Sequence, residues 1–176
     1  MKTRKPLLIV LGEPNSVFIE ILSNTLSKNY IKKKINYPII LIGSKKLVFR
    51  QLKILKKKLF FEIINKKNLD KRLKKRIYLI DIKYEFKKAF ESISTRSKKY
   101  INKSFTEAFN LLNLKISDKI INGPISKKHF LPKKFPGVTE LVFHNSKKKL
   151  SKKPVMLIFN KNISVSPITT HIPLKD

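Results

Sequence analysis

The sequence predicts an α/β domain built on a layered, mostly parallel sheet with one antiparallel hairpin. Three observations carry that expectation: short apolar runs that end in turn residues, amphipathic stretches at helical spacing, and the alternation of the two along the chain. Unbroken apolar runs suit strands buried on both faces of a parallel sheet, whereas half-buried antiparallel strands alternate apolar with polar residues.

Pro6 to Leu11 is the first such run, closed by Gly12-Glu13-Pro14, and it reads as a buried strand that delivers a loop to the sheet edge. Ser16 to Leu26 changes period: Val17, Ile19, Ile21, Leu22 and Leu26 fit a helix, with Asn15 or Ser16 as its N-cap. Tyr37 to Ile42, ended by Gly43-Ser44, is a second strand; Lys45 to Leu55 is a second helix with Leu47, Val48, Leu52 and Leu55 on one side. Charge runs at Lys56-Lys57-Lys58 and from Lys71 to Arg76 read as solvated faces around a strand at Ile77 to Ile82. From Ser97 to Leu114, Tyr100, Ile101, Phe105, Ala108, Phe109 and Leu112 mark the strongest amphipathic helix of the chain. Ile116 to Asn122 is a strand candidate that runs into Gly123-Pro124 and a helix start at Ser126-Lys127-Lys128. Pro154 to Phe159 and Ile163 to Ile168 complete the order as strands paired through Asn160-Lys161-Asn162.

At 176 residues and 41% hydrophobic content the chain is long enough for one domain with a real core. It contains no cysteine, which removes disulfides and thiolate metal sites and leaves His and carboxylate as metal ligands. The basic start Met1 to Lys5 and the apolar run Leu7 to Leu11 are too short for a signal peptide and lack a small-residue cleavage site. No segment approaches the roughly 18 to 20 apolar residues of a membrane span, so a soluble, cytoplasmic protein is expected.

A formal charge of +30 attracts phosphates, nucleic acid and anionic surfaces. The basic residues are nearly all lysine, with arginine only at 4, 50, 72, 76 and 96, and they stand among abundant Ile, Asn and Phe. All four abundant types have AT-rich codons, so compositional drift accounts for the charge. A dedicated nucleic-acid binder would use more arginine, whose planar fork reads bases and phosphates. Nucleic-acid attraction is then an incidental electrostatic consequence.

Active residues of such a sheet gather on loops leaving the strand ends. Gly12-Glu13-Pro14-Asn15-Ser16 is a strand-to-helix turn that reads first as a purely structural turn, and otherwise as one whose N–H groups could meet an anion. Asn122-Gly123-Pro124-Ile125-Ser126-Lys127 is another, with a glycine for close backbone approach and a lysine able to reach a phosphate. Downstream, Thr139 in Phe135-Pro136-Gly137-Val138-Thr139-Glu140 either caps a helix or presents its hydroxyl to a ligand. Of the three histidines, His129 and His144 lie among lysines on expected helix surfaces and read as solvated. His171 follows a strand in Thr169-Thr170-His171-Ile172-Pro173-Leu174, where the proline stiffens the backbone, as a metal ligand or acid/base group requires.

In this order and at these intervals, Gly12-Glu13-Pro14, Asn122 to Lys127, Gly137-Val138-Thr139-Glu140 and Thr170 to Asp176 resemble the N-terminal half of the 4-hydroxythreonine-4-phosphate dehydrogenase family. The resemblance spans essentially residues 1–176. It implies an isocitrate/isopropylmalate dehydrogenase-like fold, incomplete here because the C-terminal half is absent, and a homodimer. It further implies oxidation of 4-phosphooxy-L-threonine by NAD or NADP to a β-keto acid that decarboxylates, in pyridoxal phosphate biosynthesis. A divalent metal (zinc, magnesium or cobalt) held by three histidines would polarise the reacting oxygen. His171 matches the first of those ligands and Thr139 a substrate-binding threonine.

Val138 stands where the family has a substrate-binding histidine, and Ser16 and Phe18 stand at glycine positions of the first loop, while Glu20 keeps its acidic residue. The residues that would complete the metal and substrate sites belong to the half not represented, so a fragment or split enzyme is expected. Two other readings remain open: a Lys-rich binding module for nucleic acid or acidic partners on a non-catalytic dehydrogenase scaffold, and a dehydrogenase of a related phosphorylated sugar acid.

Overall fold

Ile39-Ile40-Leu41-Ile42 is apolar at every position because both of its faces are covered, and all four residues are buried. The structure, a computed structural model, describes residues 4–26, 35–65, 68–69, 73–74, 76–131, 135, 137–145 and 155–168. They fall into two compact units, Met1–Phe130 and Leu131–Asp176, each described by itself.

In the first unit five strands form one sheet: β1 (Leu7–Val10), β2 (Ile39–Gly43), β3 (Glu62–Ile63), β4 (Ile77–Asp81) and β5 (Lys119–Asn122). Their spatial order is β3-β4-β2-β1-β5, and every neighbouring pair is parallel. The helices of this unit are α1 (Phe18–Thr25), α2 (Lys45–Ile54), α3 (Lys98–Asn113) and α4 (Lys127–Phe130). Because strand side chains alternate between faces, Ile9, Leu11, Ile39, Leu41, Ile77 and Leu79 share one side. They pack there with Ile19, Leu22, Leu26, Val48 and Leu52 from α1, α2 and their ends. The even-numbered residues Leu8, Val10, Ile40, Ile42 and Ile80 are buried on the other side. There α3 packs against β1 and β2, burying Tyr100, Ile101, Phe105 and Ala108. The result is a three-layer, doubly wound arrangement.

The expected strands and helices form, with local differences that have identifiable causes. α1 starts at Phe18 with Val17 at the cap position and no side-chain cap. Ser16 is held back in the preceding turn by its N–H bond to Glu13 O at 3.1 Å. In α2, Gln51 is buried and Leu55 is only half-buried, because the Gln51 amide donates to Pro14 O at 2.7 Å. On α3, Leu111 rather than Leu112 is fully buried. β5 begins at Lys119, not Ile116. The Ser117 hydroxyl donates to Pro6 O at 2.6 Å and accepts from Lys119 N at 3.1 Å, turning the chain before the strand. β3 was not anticipated: two residues are too few to show a period.

The second unit contains α5 (Val138–Asn145) and a hairpin of β6 (Ile158–Phe159) and β7 (Ser164–Val165). The hairpin is antiparallel and closed through Asn160 N donating to Ile163 O at 2.9 Å. The strands are shorter than expected, and Pro154 lies outside the described residues. Among the described residues no helix is long and apolar enough to cross a membrane.

Candidate functional site

β1 lies between β2 and β5. The chain leaves β1 toward β2 and later crosses to β5 on the opposite side, so the C-terminal ends of β1 and β5 form the topological switch point of the sheet. Ligands of open α/β sheets bind at that edge. The first two loops singled out in the sequence meet there.

Their contact is backbone to backbone. Gly123 N donates to Val10 O at 2.7 Å and Glu13 N to Pro124 O at 2.8 Å. Gly12 has φ +72°, and a Cβ on it would lie 2.4 Å from Pro124 O. A Cβ on Gly123 would lie 2.4 Å from Leu11 O. The two glycines permit this approach, since only a residue without Cβ fits.

Glu13 is buried, with 2% exposure. The Ser97 hydroxyl, 84 residues away at the start of α3, donates to Glu13 Oε2 at 2.9 Å. Asn15 N points to Glu13 Oε1 at 3.4 Å. Most of the first loop's N–H groups are therefore closed to an anion. Those of Glu13, Asn15 and Ser16 are directed to protein acceptors, and a buried carboxylate sits among them. The neighbouring loop is engaged likewise: Ser44 N donates to Tyr100 Oη at 3.1 Å, and Lys45 N to Asp81 Oδ1 at 2.8 Å. Glu13, Ser44, Gln51 and Tyr100 share a cavity of about 20 Å³ with apolar side chains, room for a single water.

Tyr84 packs on Tyr100 with ring centroids 4.8 Å apart. Burial, then the charges of Glu13 and Glu91, push the Tyr84 hydroxyl above the ordinary phenol range, against a smaller opposing effect of Arg96. Burial raises Tyr100 much further, and hydrogen bonds with Ser44 and Ser104 offset only part of it. Below the ordinary tyrosine value of about 10, Tyr100 is neutral whether folded or unfolded. Above it the unfolded chain releases the proton and the folded chain keeps it, so stability falls as pH rises. Tyr100→Phe should flatten that alkaline loss in urea midpoints measured across pH. It should also cost about 1 to 3 kcal/mol at neutral pH by leaving Ser44 N unpartnered. An unchanged alkaline slope would assign the loss to other groups.

In the second loop the Ser126 hydroxyl pairs with His129 Nδ1 at 2.8 Å, and Lys127 is exposed. His129 is thus half-buried and held rather than solvated. Exposed His144 packs edge-on against Phe135, with centroids 5.0 Å apart. In the second unit Val138 is the first residue of α5 and half-buried; Thr139 follows, exposed in the first turn rather than at the cap position. His171 lies outside the described residues. Among the described residues no group of three or more His, Cys, Asp or Glu side chains could hold a metal ion. They do not by themselves fit a metal centre. Ser97, Tyr84 and Tyr100 were not anticipated at this edge, because no local motif connects them to Glu13.

The family model described as "Pyridoxal phosphate biosynthetic protein PdxA" matches residues 34–176. The 4-hydroxythreonine-4-phosphate dehydrogenase of Sulfurihydrogenibium sp. (strain YO3AOP1) is 32% identical over 175 residues, covering 97% of this chain and 51% of that protein. The crystal structure of a 4-hydroxythreonine-4-phosphate dehydrogenase from Burkholderia phymatum superposes with a TM-score of 0.75 at 20% identity, covering 98% of this chain and 52% of that one. That from Klebsiella pneumoniae gives 0.75 at 19% identity, covering 99% and 53%. At those identities the structural likeness establishes the fold, which is the isocitrate/isopropylmalate dehydrogenase-like fold expected from the sequence. The chain spans about half the length of the relatives it matches.

Proposed function

The chain belongs to the PdxA family, and on that premise we propose that it supplies half of a cytoplasmic, homodimeric 4-hydroxythreonine-4-phosphate dehydrogenase acting in pyridoxal phosphate biosynthesis. The reaction is oxidation of the hydroxyl of 4-phosphooxy-L-threonine by NAD or NADP, followed by loss of carbon dioxide from the β-keto acid. What carries this reading is the family match over residues 34–176.

The roles of this chain's residues follow from the resemblance and the edge geometry. Thr139, exposed in the first turn of α5, offers a hydroxyl to the substrate. Lys127, exposed beyond the C-terminal end of β5, offers a cation to the phosphate. Gly12, Gly123 and the Glu13–Ser97 bond brace the switch-point loops. His171 contributes one imidazole to a divalent metal, which when bound supplies Lewis-acid polarisation. A catalytic zinc takes about three protein ligands, so the others come from the half of the fold that this chain does not span.

The test is reduction of NAD or NADP by 4-phosphooxy-threonine with the native gene product, after chelation and after re-addition of zinc, magnesium or cobalt. Turnover that returns only with metal is expected; none under any of these conditions removes the reading. Val138 favours a second reading, because an apolar side chain cannot make the hydrogen bond a histidine would. A phosphorylated sugar acid assayed in parallel separates the two. If 4-phosphooxy-threonine is the substrate, Val138→His should lower its KM about 5- to 15-fold, the value of roughly 1 to 1.5 kcal/mol from one added hydrogen bond. An unchanged KM would place residue 138 outside the site.

A further inference from the structure

An open groove of about 470 Å³ runs along the outer face of α3 and the short turn before it, lined by Arg96, Lys98, Lys99, Lys103 and three neutral hydrogen-bonding side chains. All of these residues are exposed. The lining holds four cations and no carboxylate. The single acid of α3, Glu107, is buried and takes no part in it. Glu91 stands 4.0 Å from the Arg96 guanidinium; the three lysines have no ion pair among the described residues.

Compositional drift would spread lysine along a helix. On α3 it is confined to positions 98, 99 and 103, among the first six of its 16 residues, with no acid in the first turn and no base in the last. A helix is stabilised by the reverse arrangement, with anions toward its N-terminal end and cations toward its C-terminal end. The lysines also repel one another across the i, i+4 spacing of Lys99 and Lys103. The cluster therefore weakens the helix that carries it, and a breach of local stability rules without compensation in the fold is a mark of function. Nor is the groove confined to the helix end, since it reaches Thr106 in the third turn.

We infer that this groove is a binding site for a small polyphosphate anion, held by Arg96, Lys98, Lys99 and Lys103 with Thr95, Asn102 and Thr106 as neutral partners. The spacing selects an extended anion: Lys99, Lys103 and Thr106 follow one another on one helix face over about 10 Å, so one ligand meets them all only if its charge is distributed along a chain. The volume is that of a small-molecule site. Nucleic acid fits the groove less well. No aromatic side chain lines it for a base to stack on, and from Ser104 to Asn113 α3 offers no further cation to a continuing backbone. The inference is independent of the proposed dehydrogenase reaction.

The experiment is titration of the native gene product with inorganic triphosphate, ATP and a short single-stranded oligonucleotide in about 0.15 M salt, where unspecific attraction between exposed charges is largely screened. The paired change Lys99→Ala and Lys103→Ala should weaken triphosphate binding at least about tenfold, since each lysine removes a charge-assisted bond. Alanine is the best helix former, so this variant should unfold at the same urea concentration as the parent or a higher one. Lys57→Ala with Lys58→Ala, an exposed pair outside the groove, lowers the net charge equally and should leave binding within about twofold of the parent. Equal binding of triphosphate and ATP assigns the groove to any polyphosphate chain, and tighter binding of ATP to nucleoside polyphosphates; either supports the inference. Three results overturn it: no saturable binding of triphosphate or ATP, equal weakening by the two lysine pairs, or an oligonucleotide that binds more tightly than both.

Discussion

Gly12→Val is expected to destabilise the first unit by about 3 to 5 kcal/mol, the largest effect of any single change at the switch point. Two penalties add. The backbone at Gly12 sits at φ +72°, which costs a side chain about 1 to 3 kcal/mol, with β-branched residues at the unfavourable end. The new Cβ would also meet Pro124 O at 2.4 Å and Gly123 C at 2.9 Å. Both are backbone atoms in a loop tied by one hydrogen bond to Val10 of β1 and by another to Glu13 in the loop that follows it, so neither can move without breaking a bond. Overpacking of this kind adds about 1 to 3 kcal/mol. Gly12→Ala carries the same clash with less χ1 restriction and should fall at the lower end. Urea midpoints of the two variants against the parent check this. A shift under about 1 kcal/mol for Gly12→Val would mean that the two loops separate readily, and that their close approach does not brace the edge.

That contact also shows what the sequence made legible. Runs such as Ile39 to Ile42 and the stripe from Tyr100 to Phe109 declare their environment locally, because burial on a strand or helix leaves its own period. Gly12-Glu13-Pro14 and Asn122-Gly123-Pro124 were visible as unusual loops for the same local reason. Their meeting was not visible, because it depends on β5 crossing to the far side of β1, a fact of topology. Nor was the fate of Glu13. A carboxylate in a turn reads as solvated until Ser97 arrives from another element. The structural alternative for the first loop holds, and the anion alternative fails at Glu13, Asn15 and Ser16, whose N–H groups meet protein acceptors. His129 failed similarly: its lysine neighbours suggested solvent, while Ser126 three residues earlier turns it inward.

The second large effect concerns chemistry. His171→Ala should reduce metal-dependent turnover by more than the roughly 100-fold that loss of an outer-shell partner of a metal ligand can cost, and should leave the purified protein without stoichiometric metal. A site that takes about three protein ligands loses one of them outright, and alanine offers no replacement donor. The other two histidines provide the contrast. His129 is engaged by Ser126 and His144 packs on Phe135, so His144→Ala should keep both metal and turnover. Metal content by elemental analysis, read beside turnover, separates the possibilities. Loss of both in His171→Ala alone makes His171 a ligand. Loss of turnover with metal retained makes it a group acting on substrate. Retention of both removes it from the reaction and leaves the half of the fold outside this chain as the source of the entire metal site.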